Sequence, residues 1–319
     1  MREYLFSYDD ICLQPKHSVL HSRDGADTSI GFLGYDFKIP VVPANMIDVI
    51  SIENALTLAK DGYFYIMHRF GTAIQDAINS DLDDTLLSIS IGIKDEDKRM
   101  LDELVLIPAF ITVDVAHADH QNVADMLKHL QKTFEHSGGY IERPKFIAGN
   151  VATADGYKFL CDSGADAVKV GIGGGSICTT RYKTGFHVPT AYSVWDCRQD
   201  SHYDVPIIAD GGAKHFGDVA KALALGADMV MSGRWFAECI DSPAKIEHGK
   251  KIYRGSTSYE AKGHNNHVEG QTIEIERACT YKERLLEIKQ ALQSSISYGG
   301  GKDLSCFNSV KWHFITTIR

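Results

Sequence analysis

The sequence predicts an α/β protein, a closed (β/α)8 TIM barrel carried by one chain of 319 residues. Three observations predict it. Short runs of β-branched and aromatic residues alternate with segments of helical periodicity, the pattern of βαβ units on a parallel sheet. Two stretches, CDSGADAVKVG and ALALGADMVMSG, repeat one plan: helix, Gly-Ala-Asp, strand, glycine. Polar and glycine residues also gather just after the apolar runs, where barrel enzymes build their sites.

Each element follows in order. Eight strands are expected over residues 39–44, 63–67, 86–91, 110–115, 145–148, 167–170, 206–209 and 228–231. Helices are expected over 52–61, 73–80, 95–104, 121–134, 154–163, 188–199 and 217–225. Eight units favour a closed barrel over an open doubly wound sheet. Residues 1–38 are turn-rich and read as a cover for the barrel bottom or a contact with a neighbouring subunit. Residues 247–276 are polar and read as a long mobile loop over the active site. A last helix over 282–293 places Leu285, Leu286, Ile288 and Leu292 roughly on one face. The whole chain, 1–319, reads as a single catalytic domain.

Composition excludes several function classes. Hydrophobic residues make up 44% and charged residues 24%, ordinary for a globular protein. The net charge of −9 argues against a nonspecific nucleic-acid binder. No apolar run approaches the roughly 20 residues that span a bilayer, so no membrane partner is expected. The N-terminus MREYLFSYDD lacks the apolar core of a signal peptide. Seven cysteines without a CxxC pair read as reduced thiols, which suits a cytoplasmic protein.

The densest chemistry lies in KVGIGGGSICTTRYKTG, residues 169–185. Glycines let a backbone approach a ligand closely. Cys178 sits there among Ser176, Thr179, Thr180 and Arg181, polar neighbours that suit a nucleophilic thiolate better than a packed thiol. The loops after the seventh and eighth strands read ADGG and MSGR, the usual place for a phosphate in a barrel. Asp210 either caps the following helix or takes a ribose diol. With Ser176 and the glycine loop opening on the same mouth, a nucleotide monophosphate is the better reading. Asp114 with His117 is a candidate acid/base pair, or Asp114 simply orders its loop. The histidines at 264 and 267 lack a carboxylate at ligand spacing and make no metal set.

GGGSICTTR, ADGG, GADMVMSG, RGSTSYE and VEGQ stand in the order seen in the IMP dehydrogenase/GMP reductase family, which this sequence resembles from YDDICLQP to SSISYGG. IMP dehydrogenases usually carry CBS modules inserted in the barrel and a flap with an Arg-Tyr pair that activates water. Here MHRF leads straight on to the next helix, and the nine residues between RGSTS and VEG contain no Arg-Tyr. The sequence therefore resembles the reductase branch. That resemblance implies conversion of GMP to IMP and ammonia with NADPH, through a thioimidate on Cys178, with Thr180 and Glu269 relaying the proton that ammonia needs to leave.

Carried over residue by residue, the resemblance implies that Ser176, Asp210, Gly211, Gly212, Gly233 and Arg234 hold ribose and phosphate. Gly255, Ser256, Thr257, Asn266 and Gly270 would surround the purine. Arg69, Asp114, Val115, Ala116, Ile172, Gly173, Ser294, Ser295 and Ser297 would face NADPH, with Ser22 and Arg23 reaching it from a neighbouring subunit. Backbone carbonyls of Gly173, Gly175, Cys178 and Arg181 would hold a monovalent cation, K+ being the candidate. A homotetramer is implied. Four positions depart from the commonest pattern: Gly174 for proline, Ser256 for methionine, Asn266 for arginine and Arg234 for glycine. The glycine predicts a looser cysteine loop. A CBS-less IMP dehydrogenase and a catalytically silent purine-nucleotide sensor are the alternatives.

Overall fold

The computed structural model describes residues 4–80, 86–104, 106–134, 143–259 and 268–315. At its centre stands a parallel sheet of seven strands: β1 (Val41–Pro43), β2 (Ser88–Ile91), β3 (Phe110–Asp114), β4 (Lys145–Val151), β5 (Ala167–Val170), β6 (Ile207–Asp210) and β7 (Met229–Ser232). Their order around the sheet is β1-β7-β6-β5-β4-β3-β2, and every pairing is parallel. Helices follow the strands, giving the barrel class expected from the alternation.

The expected strand over 63–67 does not form a ladder. Its residues are buried at Phe64, Tyr65, Ile66 and Met67, and it lies against β2. Met67 N–H donates to the Ser88 carbonyl at 3.1 Å. One residue pair away, the Tyr65 hydroxyl replaces backbone: it donates to the Leu86 carbonyl at 2.9 Å and accepts from Ser88 N–H at 3.2 Å. A side chain wedged between two backbones satisfies the polar groups but breaks the periodic ladder.

The lower end of the barrel is plugged by an antiparallel hairpin, Ile30–Phe32 with Tyr35–Phe37. Phe64 gathers Phe32, Phe37 and Phe110 around it, with ring centroids 5.4, 5.0 and 5.1 Å away. Phe110 opens β3, so this cluster closes the N-terminal end of the strands. Residues further upstream run elsewhere: Ile11–Leu13 pairs with Trp312–Phe314, and Ser7 and Tyr8 reach the opposite end, at the pocket.

Helix Gln121–Phe134 shows why periodicity was legible. Val123, Met126, Leu127, Leu130 and Phe134 are all buried, one stripe at helical spacing. The last helix is longer than expected, Tyr281–Gly299, because burial of Ile296 carries it through the serine-rich stretch. Thr280 and Glu283 close its N-terminus with a capping box, and Gly300, at φ 75°, ends it.

The segment read as a loop over 247–276 carries strands at both ends. β8 (Lys250–Arg254) pairs antiparallel with β9 (Thr272–Ile275). Its signal is period-two burial of Lys251 and Tyr253. The Lys251 ammonium hid that signal; it is satisfied by the Ser242 carbonyl and hydroxyl at 2.7 and 3.0 Å.

Candidate active site

The C-terminal ends of the strands open into one cavity of about 1620 Å³. Pockets for one small ligand run to roughly 300–1,000 Å³, so this one has room for a nucleotide and a second large ligand side by side.

Cys178 lines that cavity and is bridged to Gly270, two residues before β9. The two segments are stitched by backbone: Thr179 N–H donates to Glu269 O at 2.7 Å, and Gln271 N–H to Ile177 O at 3.1 Å. Glu269 and Gly270 N–H both turn to Thr257 O. This places a linear chain of donors. The Cys178 thiol donates to Thr180 Oγ1 at 3.2 Å, and Thr180 Oγ1 donates to Glu269 Oε2 at 2.6 Å. A proton leaving the thiol therefore has a route to a carboxylate through one hydroxyl. Burial pushes the thiols of Cys161 and Cys239 up to about 11 and about 12, and keeps them protonated.

The backbone of the cysteine loop is held by hydrogen bonds at several points. Gly212 N–H donates to Gly174 O at 3.0 Å, Asn150 Nδ2 to Gly171 O at 2.8 Å, and His187 Nδ1 lies 2.9 Å from Ile172 O. The third glycine is a packing requirement. A Cβ at Gly174 would stand 2.5 Å from Thr190 Oγ1, closer than any real contact.

Opposite Cys178, Asp210 ends β6 and accepts from Asn150 Nδ2 at 2.8 Å. Gly211, Gly212, Gly233 and Arg234 line the wall beyond it, with Ser176 on the facing loop. The Arg234 guanidinium pairs with Glu238 at 2.9 Å. Gly255, Ser256, Thr257 and Gly270 line the cavity too; Asn266 and the histidines at 264 and 267 lie outside the described residues. The Gly255–Thr257 segment is anchored through Arg254, whose guanidinium and N–H clamp the buried Asp48 carboxylate. His68, packed near Asp48, has its pKa pushed down to about 4 by burial, with Asp48 opposing.

Arg69, Asp114, Val115, Ala116, Ile172 and Gly173 line the other side of the cavity. Asp114 does not pair with His117, which is exposed; it meets Lys169 Nζ at 2.8 Å and Arg69 Nε at 3.9 Å. Burial, the largest single effect, would raise the Asp114 pKa, but Lys169 together with Arg69 and Asn45 outweighs it and holds the carboxyl below its usual range. Burial likewise opposes the Lys169 charge, and Asp114 and Asp210 restore it, so its pKa is net raised. Arg69 Nε is buried and, among the described residues, has no hydrogen-bond partner, Asp114 at 3.9 Å being an ion-pair contact only. An orphaned donor on an open cavity wall suits an additional polar ligand there.

Ser22, Arg23, Ser294, Ser295 and Ser297 do not line this cavity. Arg23 reaches Ser294 Oγ at 3.5 Å and the Tyr298 hydroxyl at 3.4 Å, Ser18 pairs with Ser297 at 2.9 Å, and Ser295 bonds its own helix. They form a separate patch where the first residues cross the last helix. Gly175 and Arg181 stand with Gly173 and Cys178 around the cysteine loop, and the Gly175 carbonyl already accepts Cys178 N–H at 3.1 Å.

Sequence reasoning missed Lys169, Tyr253 and Tyr8 as lining residues. Lys169 could have been found: it is a charged residue in the middle of a strand, Ala167–Val170, whose four residues are all buried. Tyr8, far away in sequence, gave no such signal.

A barrel whose strand ends open on one large cavity, with a cysteine, a hydroxyl and a carboxylate hydrogen-bonded in series on its wall, has the build of a barrel enzyme. Residues 5–317 match the sequence model of the IMP dehydrogenase / GMP reductase domain, and the chain belongs to that family. It is 42% identical to a GMP reductase of Oenococcus oeni, over 97% of this chain and 96% of that protein. It is 41% identical to a GMP reductase of Bacillus subtilis, again over 97% and 96%, and 42% identical to one of Lysinibacillus sphaericus, over 97% and 95%. Among the described residues, no helix is long and apolar enough to cross a membrane.

Proposed function

We propose that this protein is an oxidoreductase that converts GMP to IMP and ammonia using NADPH, with Cys178 as the nucleophile. The observation that carries this reading is the chain Cys178 Sγ–Thr180 Oγ1–Glu269 Oε2, at 3.2 and 2.6 Å.

The thiol gives its proton through Thr180 to Glu269 as sulfur bonds to purine C2. Glu269 returns the proton through Thr180 to the exocyclic nitrogen, and the C2–N bond breaks with its electron pair leaving on ammonia. An amine leaves poorly unless protonated, so a positioned acid is needed. The product of this half is a thioimidate on Cys178. NADPH, when bound, supplies the hydride that C2 then accepts; the thiolate departs and IMP forms. Asp210 takes the ribose diol, while Gly211, Gly212, Gly233, Arg234 and Ser176 take the phosphate. Gly255, Ser256, Thr257 and Gly270 bound the base.

Arg69, Asp114, Val115, Ala116, Ile172 and Gly173 would hold the nicotinamide end, and the orphaned Arg69 Nε supports that fit. Ser22, Arg23, Ser294, Ser295 and Ser297 would serve the adenosine end from a neighbouring copy, since they stand away from their own cavity; this favours a homotetramer. Carbonyls of Gly173, Gly175, Cys178 and Arg181 would bind K+. A cytoplasmic, purine-recycling role fits this chemistry.

Two assays test the reading. With GMP and NADPH, nicotinamide absorbance should fall with one ammonia released per cofactor consumed. Activity with IMP and NAD alone would instead assign a dehydrogenase.

A further inference from the structure

Lys169 projects from β5 into the barrel, almost wholly buried, and its stem runs past bare backbone. A Cβ on Gly149, its neighbour across the sheet, would come within 2.4 Å of Lys169 Cβ. The ammonium ends among three acceptors: Asp114 Oδ1 at 2.8 Å, Asn45 Oδ1 at 3.2 Å and Asp210 Oδ2 at 3.4 Å. An ammonium has three protons to give, so no donor is left for a ligand. Around this group stand Asn150, which donates to Asp210; Arg69, beside Asp114; and Ser90, which accepts from Asn45; the Tyr253 phenol lines the same cavity and donates to Met46 Sδ at 3.6 Å. One buried cation thus ties the carboxylate on the nucleotide side of the cavity to the carboxylate on its other side.

We propose that Lys169 is a positioning residue for the nucleotide ribose: it holds the Asp210 carboxylate aimed at the ribose hydroxyls, braced against Asp114. The inference rests on the nucleotide reading above. Lys169 itself touches neither ribose nor base. Its contribution is orientation, the kind that keeps a binding group in a productive geometry before the ligand arrives.

Titration calorimetry of GMP and of 2′,3′-dideoxy-GMP, without dinucleotide, tests it. The native protein should bind GMP tighter by about tenfold or more, since hydrogen bonds to a charged acceptor separate the two ligands. In Lys169→Met the gap should shrink to below about threefold, mostly through weaker GMP binding, with dideoxy-GMP little changed. That variant leaves two buried carboxylates facing each other and can fail to fold. Lys169→Met with Asp114→Asn removes a negative charge along with the positive one, and should show the same narrowed gap. A gap of native size in either variant, or an equal loss for both ligands, would overturn the proposal. Native protein that binds neither nucleotide would remove the proposed function and this inference with it.

Discussion

Gly174→Ala separates a loop that needs freedom from a loop that needs space. Gly174 is not in the left-handed region, so alanine meets no backbone penalty there. It meets a wall: the new Cβ would stand 2.5 Å from Thr190 Oγ1 and 3.4 Å from Gly212 N. Thr190 is itself buried, so it has little room to yield. Forcing a methyl into such a place costs roughly 1–3 kcal/mol. Thr190→Ala alone should cost less, about 1 kcal/mol, because its hydroxyl makes only a long bond to Asp210 O, at 3.4 Å. With that hydroxyl gone, the methyl at 174 has its space. The double variant should therefore be more stable than the sum of the singles, by about 1–2 kcal/mol. Urea unfolding of the four proteins measures this directly. Single-variant costs that add to within about 0.5 kcal/mol would refute the steric account and favour the reading of Gly174 as a residue that loosens the loop.

Other predictions concern the proton path and pH. Thr180→Val keeps the shape of the side chain and removes the hydroxyl between Cys178 and Glu269, so turnover of GMP should fall by about 10²–10⁴-fold with GMP binding nearly intact. Glu269→Gln should fall by a similar factor, and the two losses together should not multiply, because they break one chain. His68 has a folded pKa of about 4 against an ordinary 6.5, so the unfolded chain takes up the proton first. Its contribution to stability is complete above the ordinary value and lost as pH falls toward 4, at most about 3 kcal/mol. An acid-denaturation series should show this, and His68→Gln should flatten the slope.

Much of the fold was legible because burial leaves a period in the sequence. The helix Gln121–Phe134 and the strands β3 and β5 came straight from spacing. Where a single side chain replaces backbone bonding, as Tyr65 does between Leu86 and Ser88, no local pattern distinguishes a strand from an extended segment. The site divides in the same way. Cys178, Thr180 and Asp210 stand at strand ends in polar loops and were visible. Glu269 was placed only by resemblance, since its position depends on β8 and β9 meeting the cysteine loop. Of the two readings left open for Asp114, neither named its ion-pair partner: His117 is its neighbour in sequence, but the barrel interior brings Lys169 to it from two strands away. The packing constraint on Gly174 was invisible in the sequence because it comes from Thr190, sixteen positions on and at the start of another helix.

The central claim is covalent attack by Cys178 on the purine, and Cys178→Ala tests it most directly. The sulfur is removed from the end of the proton chain while Thr180 and Glu269 keep their own hydrogen bond, 2.6 Å long. Purified variant and native protein would be compared for ammonia release and NADPH oxidation with GMP at saturation, and for GMP binding by calorimetry. The account predicts GMP bound by both proteins and no measurable ammonia or cofactor turnover from the variant. A Cys178→Ala protein that still released ammonia from GMP would contradict it.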